Sequence, residues 1–126
     1  MAKPNKRVLV VEDELSIANY LVDVVQMLGY DCRHLVGGAK VMSLAKEWSP
    51  HLITLDLAMP SPDGIQVLGL LKNDPQTRSI PVFVVSAIAN QYGIMEQLGE
   101  AHSIFEKPLD TRFFMKQVQK VCEEQE

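Results

Sequence analysis

The 126-residue chain has only two cysteines, Cys32 and Cys122, set far apart and outside any C-x-x-C spacing. That scarcity excludes a disulfide framework and a zinc site, and leaves free thiols suited to a reducing compartment. No apolar run approaches the roughly 18 residues needed to span a bilayer. The N-terminal MAKPNKR has no apolar stretch of the secretory kind before the first strand-like segment. Together these absences predict a cytoplasmic protein with no membrane partner. Basic charge is also short: the formal net charge is −4, so there is no excess to neutralise phosphates, and direct nucleic-acid binding is not expected. Lys3, Lys6 and Arg7 form the only basic cluster, and they read as a solubilising tail. Repeats, low-complexity segments and interdomain linkers are missing too. The length suits one domain, residues 1–126, with a core from about residue 6 to residue 122.

What is present is an alternation of two periodicities. Arg7–Val11 (RVLVV) is an apolar, β-branched run of the kind buried on both faces of a sheet. Ser16–Leu28 follows with Ala18, Leu21, Val25 and Leu28 at helical spacing, and Gly29 stands at its stop. Cys32–Val36 reads as a second strand, Ala39–Trp48 as a second helix and Leu52–Leu55 as a third strand. Leu57–Gly64, with Pro60, Pro62 and Gly64, must be a loop. Ile65–Lys72 resumes helical spacing, Ile80–Val85 is a fourth strand, and Asn90–Leu98 a fourth helix. Ser103–Phe105 is a fifth strand, and Asp110–Glu123 a fifth helix capped by Asp110, with Phe114, Val118 and Val121 on its apolar face. Five strands alternating with five helices imply an α/β fold, a parallel sheet covered on both sides.

In such sheets, ligands bind beyond the carboxyl ends of the strands, near the point where strand order reverses. There the sequence passes abruptly from apolar to polar. RVLVV is followed by Glu12-Asp13-Glu14, LITL by Asp56, IPVFVV by Ser86, and SIF by Glu106-Lys107-Pro108. Glu12, Asp13 and Asp56 would crowd like charges into one cleft, which raises pKa values and costs stability. A hard divalent cation relieves the crowding, and Mg²⁺ suits one or two carboxylates, waters and phosphate oxygens. Phosphoryl transfer needs mainly positioning and electrostatic stabilisation. A carboxylate nucleophile at Asp56, a hydroxyl donor at Ser86 and a point charge at Lys107 would supply them.

The ordered segments VLVVEDE, LITLDLAMPSPDG, IPVFVVSA and FEKPLD resemble the receiver domain of two-component response regulators, over nearly the whole chain from Lys6 to about Cys122. The resemblance implies a flavodoxin-like, doubly wound five-stranded sheet of order 2-1-3-4-5 with five helices. It implies that Asp56 is the phosphoacceptor, that Asp13 and Asp56 ligate Mg²⁺ directly, and that Glu12 does so through water. The backbone carbonyl of Ala58 completes the metal's protein contacts. Ser86 matches the switch hydroxyl and Lys107 the phosphoryl-contacting lysine, followed by Pro108 after a cis peptide bond. Pro60 and Gly64 match the turn after the phosphoacceptor. The implied partners are a sensor histidine kinase or histidine phosphotransfer protein upstream, and a protein target or output domain downstream. A phosphorylation-dependent dimer would form through the fourth helix, fifth strand and fifth helix, with Phe113 in that surface. Where the family usually has an aromatic, three residues before the lysine, this chain has Ile104. Phe105 follows it, and strand alternation points it to the opposite face.

Other functions fit the residues less well. Phosphatases working through an aspartyl intermediate place a second aspartate two residues after the nucleophile, where Ala58 stands here. A flavodoxin-type cofactor would be repelled by Glu12-Asp13-Glu14. A degenerate receiver, acting as a phosphorylation-independent binding module, would not need the full set of Glu12, Asp13, Asp56, Ser86 and Lys107. His34, His51 and His102 are scattered and read as surface residues. Trp48 and Met42 read as helix packing.

Overall fold

Strand alternation in this chain feeds two separate apolar layers. In β1 (Arg7–Val11) Val8 and Val10 point to one face, and Leu9 and Val11 to the other. The same division runs through β3 (Leu52–Leu55) and β4 (Val82–Ser86), where Phe83 and Val85 oppose Val82 and Val84. All these residues are buried, which is why their segments read as unbroken apolar runs. The structure is a computed structural model, and it describes residues 5–87 and 99–125.

The remaining elements are α1 (Leu15–Met27), β2 (Asp31–Leu35), α2 (Val41–Trp48), α3 (Gly64–Lys72), β5 (Ser103–Glu106) and α4 (Thr111–Glu123). The five strands form one sheet in the order β2-β1-β3-β4-β5, with every pair parallel. The order therefore reverses between β1 and β3. Leu21, Val24 and Val25 of α1 share one layer with Phe114, Val118 and Val121 of α4. Val41, Ala45 and Trp48 of α2 share the other with Val67, Leu68 and Leu71 of α3.

Among the described residues there are four helices rather than the five expected; the expected helix Asn90–Leu98 lies outside them. Boundaries shift where local chemistry dictates. Pro81 offers no N–H to the ladder, and Ile80 is held in a turn by its own N–H to the Thr77 carbonyl at 3.0 Å, so β4 starts at Val82 rather than Ile80. α3 begins at Gly64, ahead of the expected Ile65, because Asp63 caps it. The Asp63 side chain accepts from Gln66 N–H at 2.9 Å, and the Gln66 side chain accepts from Asp63 N–H at 2.8 Å. Asp110 caps α4 as expected, accepting from Phe113 N–H at 3.1 Å. Gly29 follows α1 with φ of 82°, a left-handed turn that suits glycine.

Cys32 and Cys122 are both free, and burial pushes their thiols up to about 12 and about 11. Trp48 packs as expected and also lies beneath two cations, with the guanidinium carbon of Arg33 at 4.9 Å and that of Arg7 at 5.8 Å from its ring centroid. Among the described residues, no helix is long and apolar enough to cross a membrane.

Candidate functional site

The carboxyl ends of β1 and β3 lie side by side, so the residues that follow them share one cleft at the point where strand order reverses. Asp56 continues the ladder by one rung, its N–H donating to Val11 O at 3.0 Å. Glu12 does the same on the other side, donating to Leu35 O at 3.1 Å. Both side chains are buried, whereas Asp13 reaches solvent. One carboxylate oxygen from each of Glu12, Asp13 and Asp56 lies within 4.8 Å of the others.

Lys107, just past β5, enters the same cleft. Its Nζ stands 2.9 Å from Glu12 Oε1 and 3.6 Å from Asp56 Oδ2. Its backbone N–H donates to the Ser86 carbonyl at 3.3 Å, which ties the lysine to the last residue of β4. The Lys107–Pro108 peptide is cis, as the resemblance implies, and so is Ser61–Pro62. Ser86 is wholly buried at the strand end. Ala58 N–H donates to Asp56 Oδ1 at 3.2 Å, and Glu14 N–H to Glu12 Oε2 at 3.3 Å.

The charge balance follows from this crowding. Burial, then a hydrogen bond with Asp56, pushes the Glu12 carboxyl up to about 7, against the opposing pull of Lys107. Burial alone would lower Lys107, but the hydrogen bond to Glu12 and the charges of Asp56, Glu12 and Glu14 outweigh it and leave it raised. The lysine is thus favoured as a cation, while the excess negative charge shifts Glu12 toward its protonated form. A hard divalent cation would relieve it equally. Three carboxylate donors at this spacing, one of them open to solvent, fit Mg²⁺ and not a soft metal.

Two contributors are harder to see in the sequence. His34, expected on the surface, is half-buried, and its Nε2 donates to the Glu12 carbonyl at 2.8 Å. Its signal is the register that sets His34 beside Val10, two residues short of Glu12. Gly64, expected as part of a sharp turn, also lies against the Asp56 backbone: a Cβ there would stand 2.2 Å from the Asp56 carbonyl oxygen.

Comparison with known proteins gives the family and the fold. Residues 8–119 match the family model described as the response regulator receiver domain. The chain belongs to that family. The receiver domain is 30% identical over 115 residues to the polar-differentiation response regulator DivK of Brucella ovis, covering 90% of this chain and 93% of that protein. It is 37% identical over 82 residues to the DNA-binding dual master transcriptional regulator RpaA of a Synechocystis strain, a match spanning 65% of this chain but only 34% of RpaA. Among solved structures, a sensor protein from Polaromonas sp. JS666 superposes with a TM-score of 0.85 at 26% identity, covering 96% of this chain and 98% of that one. The Francisella response regulator 1452 receiver domain shares the fold at 24% identity, with a TM-score of 0.85, covering 97% of this chain and all of that one.

Ile104 and Phe105 divide between the two layers of the receiver domain, as alternation predicts. Ile104 packs with the α2 and α3 side, and Phe105 with the α1 and α4 side. Phe105 meets Phe83 at 5.0 Å and Phe114 at 5.1 Å between ring centroids. Phe113 continues this aromatic row outward, 6.0 Å from Phe105, with 53% of its surface exposed.

Proposed function

We propose that this receiver domain accepts a phosphoryl group on Asp56 from a phosphohistidine of a sensor histidine kinase or phosphotransfer protein, in a Mg²⁺-dependent reaction. The observation that carries the proposal is a buried Asp56 facing Lys107 at 3.6 Å within a cluster of three carboxylates. An Asp56 side-chain oxygen forms the bond to phosphorus as the phosphorus–nitrogen bond of the donor breaks, and the departing imidazole keeps that electron pair. Asp13 and Asp56 would hold Mg²⁺ directly, Glu12 through water, and the Ala58 carbonyl would complete the set. When bound, the ion supplies charge neutralisation at the incoming phosphoryl oxygens. Lys107 pairs with one of those oxygens, giving up part of its contact with Glu12, and the Ser86 hydroxyl donates to another.

The domain is then a switched regulator rather than a turnover enzyme, acting in the cytoplasm on a downstream protein or output domain. With Ile104 in place of an aromatic, readout proceeds through the Ser86 hydroxyl and the backbone around it. The exposed Phe113 contributes to the partner or dimer face with β5. Phe113→Ala is expected to weaken partner binding or dimerisation without changing phosphorylation of Asp56.

Incubation with acetyl phosphate and Mg²⁺, followed by intact mass measurement, tests the reading. A single phosphoryl adduct is expected on the wild type and none on Asp56→Asn. No adduct on the wild type, or an equal adduct on both, would overturn it and favour a phosphorylation-independent binding module.

A further inference from the structure

β1 and β2 stay in register as far as Val11 and Leu35. The Glu12 N–H extends the ladder to Leu35 O, after which β2 bends away at residues 36 and 37. Glu12 therefore lies one residue past the paired strands, and its carbonyl faces the place where β2 has ended. The His34 imidazole fills that place, with Nε2 at 2.8 Å from the carbonyl oxygen. A carbonyl only accepts, so Nε2 carries the hydrogen. A side chain thus supplies the rung that the backbone does not.

We propose that His34 is a positioning residue for the acidic pair. By holding the Glu12 carbonyl it fixes the plane of the peptide joining Glu12 to Asp13, and so the two carboxylates on either side of that plane. Glu12 is then anchored at its N–H by Leu35, at its carbonyl by His34, and at its two side-chain oxygens by Glu14 N–H and Lys107. Asp13 is the solvent-reaching member of the cluster, and this peptide plane sets the direction from which its side chain departs. Without the imidazole the plane is free to rotate, and the three carboxylate oxygens lose their common focus. The inference rests on the reading of Glu12, Asp13 and Asp56 as the Mg²⁺ site.

Calorimetric titration of the full chain with MgCl₂ alone, with no phosphodonor, tests it. His34→Ala is expected to weaken Mg²⁺ binding about ten-fold, as the loss of a group supporting metal ligands typically does. His34→Gln, whose amide N–H reaches about as far as Nε2, is expected to recover most of that loss. In acetyl phosphate labelling, the half-saturating Mg²⁺ concentration rises in His34→Ala, while the rate at saturating Mg²⁺ changes much less. Unchanged Mg²⁺ affinity in His34→Ala, or His34→Gln no better than alanine, overturns the role of His34 and leaves the phosphoacceptor reading intact. A wild type that binds no Mg²⁺ overturns both. One further measurement needs no variant: the ¹⁵N spectrum of the imidazole should show Nε2 protonated, and a bare Nε2 refutes the inference.

Discussion

A methyl group at position 64 would stand 2.2 Å from the Asp56 carbonyl oxygen and 2.6 Å from Leu57 Cα, and neither backbone atom can swing aside. Gly64→Ala should therefore push the Asp56 backbone. The expected loss is about 1–3 kcal/mol of stability, with phosphorylation slowed on the order of ten-fold or more because Asp56, the proposed nucleophile, is displaced. Urea denaturation and labelling kinetics on one sample read both. Thr54 behaves in the opposite sense. Its side chain is buried in the middle of β3, and its hydroxyl has no hydrogen-bond partner among the described residues. Thr54→Val keeps the shape and removes the unsatisfied group, so the urea midpoint should rise, by about 1 kcal/mol of stability. At this scale the sequence was legible wherever chemistry follows an apolar run, as at Glu12, Asp56 and Lys107. It was opaque where a contact depends on register, as at His34, or on how closely two backbone segments approach, as at Gly64.

Elements were read best where burial is two-sided. β1 and β3 keep the limits their apolar runs suggest, because every residue of β3 and four of the five in β1 are buried. Helix starts were harder, since they depend on a few polar contacts rather than on a long pattern. α3 shows this: Asp63 and Gln66 satisfy each other's backbone N–H groups and set the start one residue early. Asp63→Ala removes one half of that reciprocal cap and should cost about 1 kcal/mol, seen as a lower melting temperature. Lys46 and Asp74 form a 2.8 Å ion pair between α2 and the turn after α3, but exposed pairs of this kind contribute little. The cap is thus the better target for weakening α3.

For the whole molecule, the end of the sheet opposite the acidic cleft is closed by contacts between distant parts of the chain. His51 Nδ1 accepts from Arg7 N–H at 3.0 Å, and the Gln125 side-chain amide donates to His51 O at 2.8 Å, so both ends of the described chain meet at one residue. Burial, then the charges of Lys6 and Arg7, lowers the His51 pKa below its ordinary value. The neutral ring is therefore favoured in the folded state. Its contribution is fully present above the unfolded pKa of about 6.5 and is lost as pH falls through the lower folded value. Glu12 runs the other way: with its folded pKa raised to about 7, its contribution is present at low pH and lost as pH rises. The two are separated by a variant. His51→Asn keeps an acceptor near the Nδ1 position, so on going from about pH 7.5 to about pH 5.5 the variant should lose less stability, or gain more, than the wild type. An equal change in the two proteins between these pH values, read by urea titration, would count against the assignment.

The ladder contacts that place Glu12 and Asp56 also govern how long the site stays assembled. The Asp56 amide hydrogen is bonded to Val11 between two central strands with buried side chains on both faces, and the Glu12 amide hydrogen to Leu35 on the partly exposed edge strand β2. Solvent deuterium reaches the Asp56 amide only when β1 and β3 separate at the centre of the sheet, which approaches the opening of the molecule as a whole, whereas the Glu12 amide is freed when the edge strand β2 parts. Glu12 and Asp56 therefore lose their anchors by different openings, one at the edge of the sheet and one at its centre. In exchange experiments the Asp56 amide should be among the last protons to disappear, on the same clock as Leu9 and Ile53, and the Glu12 amide should exchange earlier.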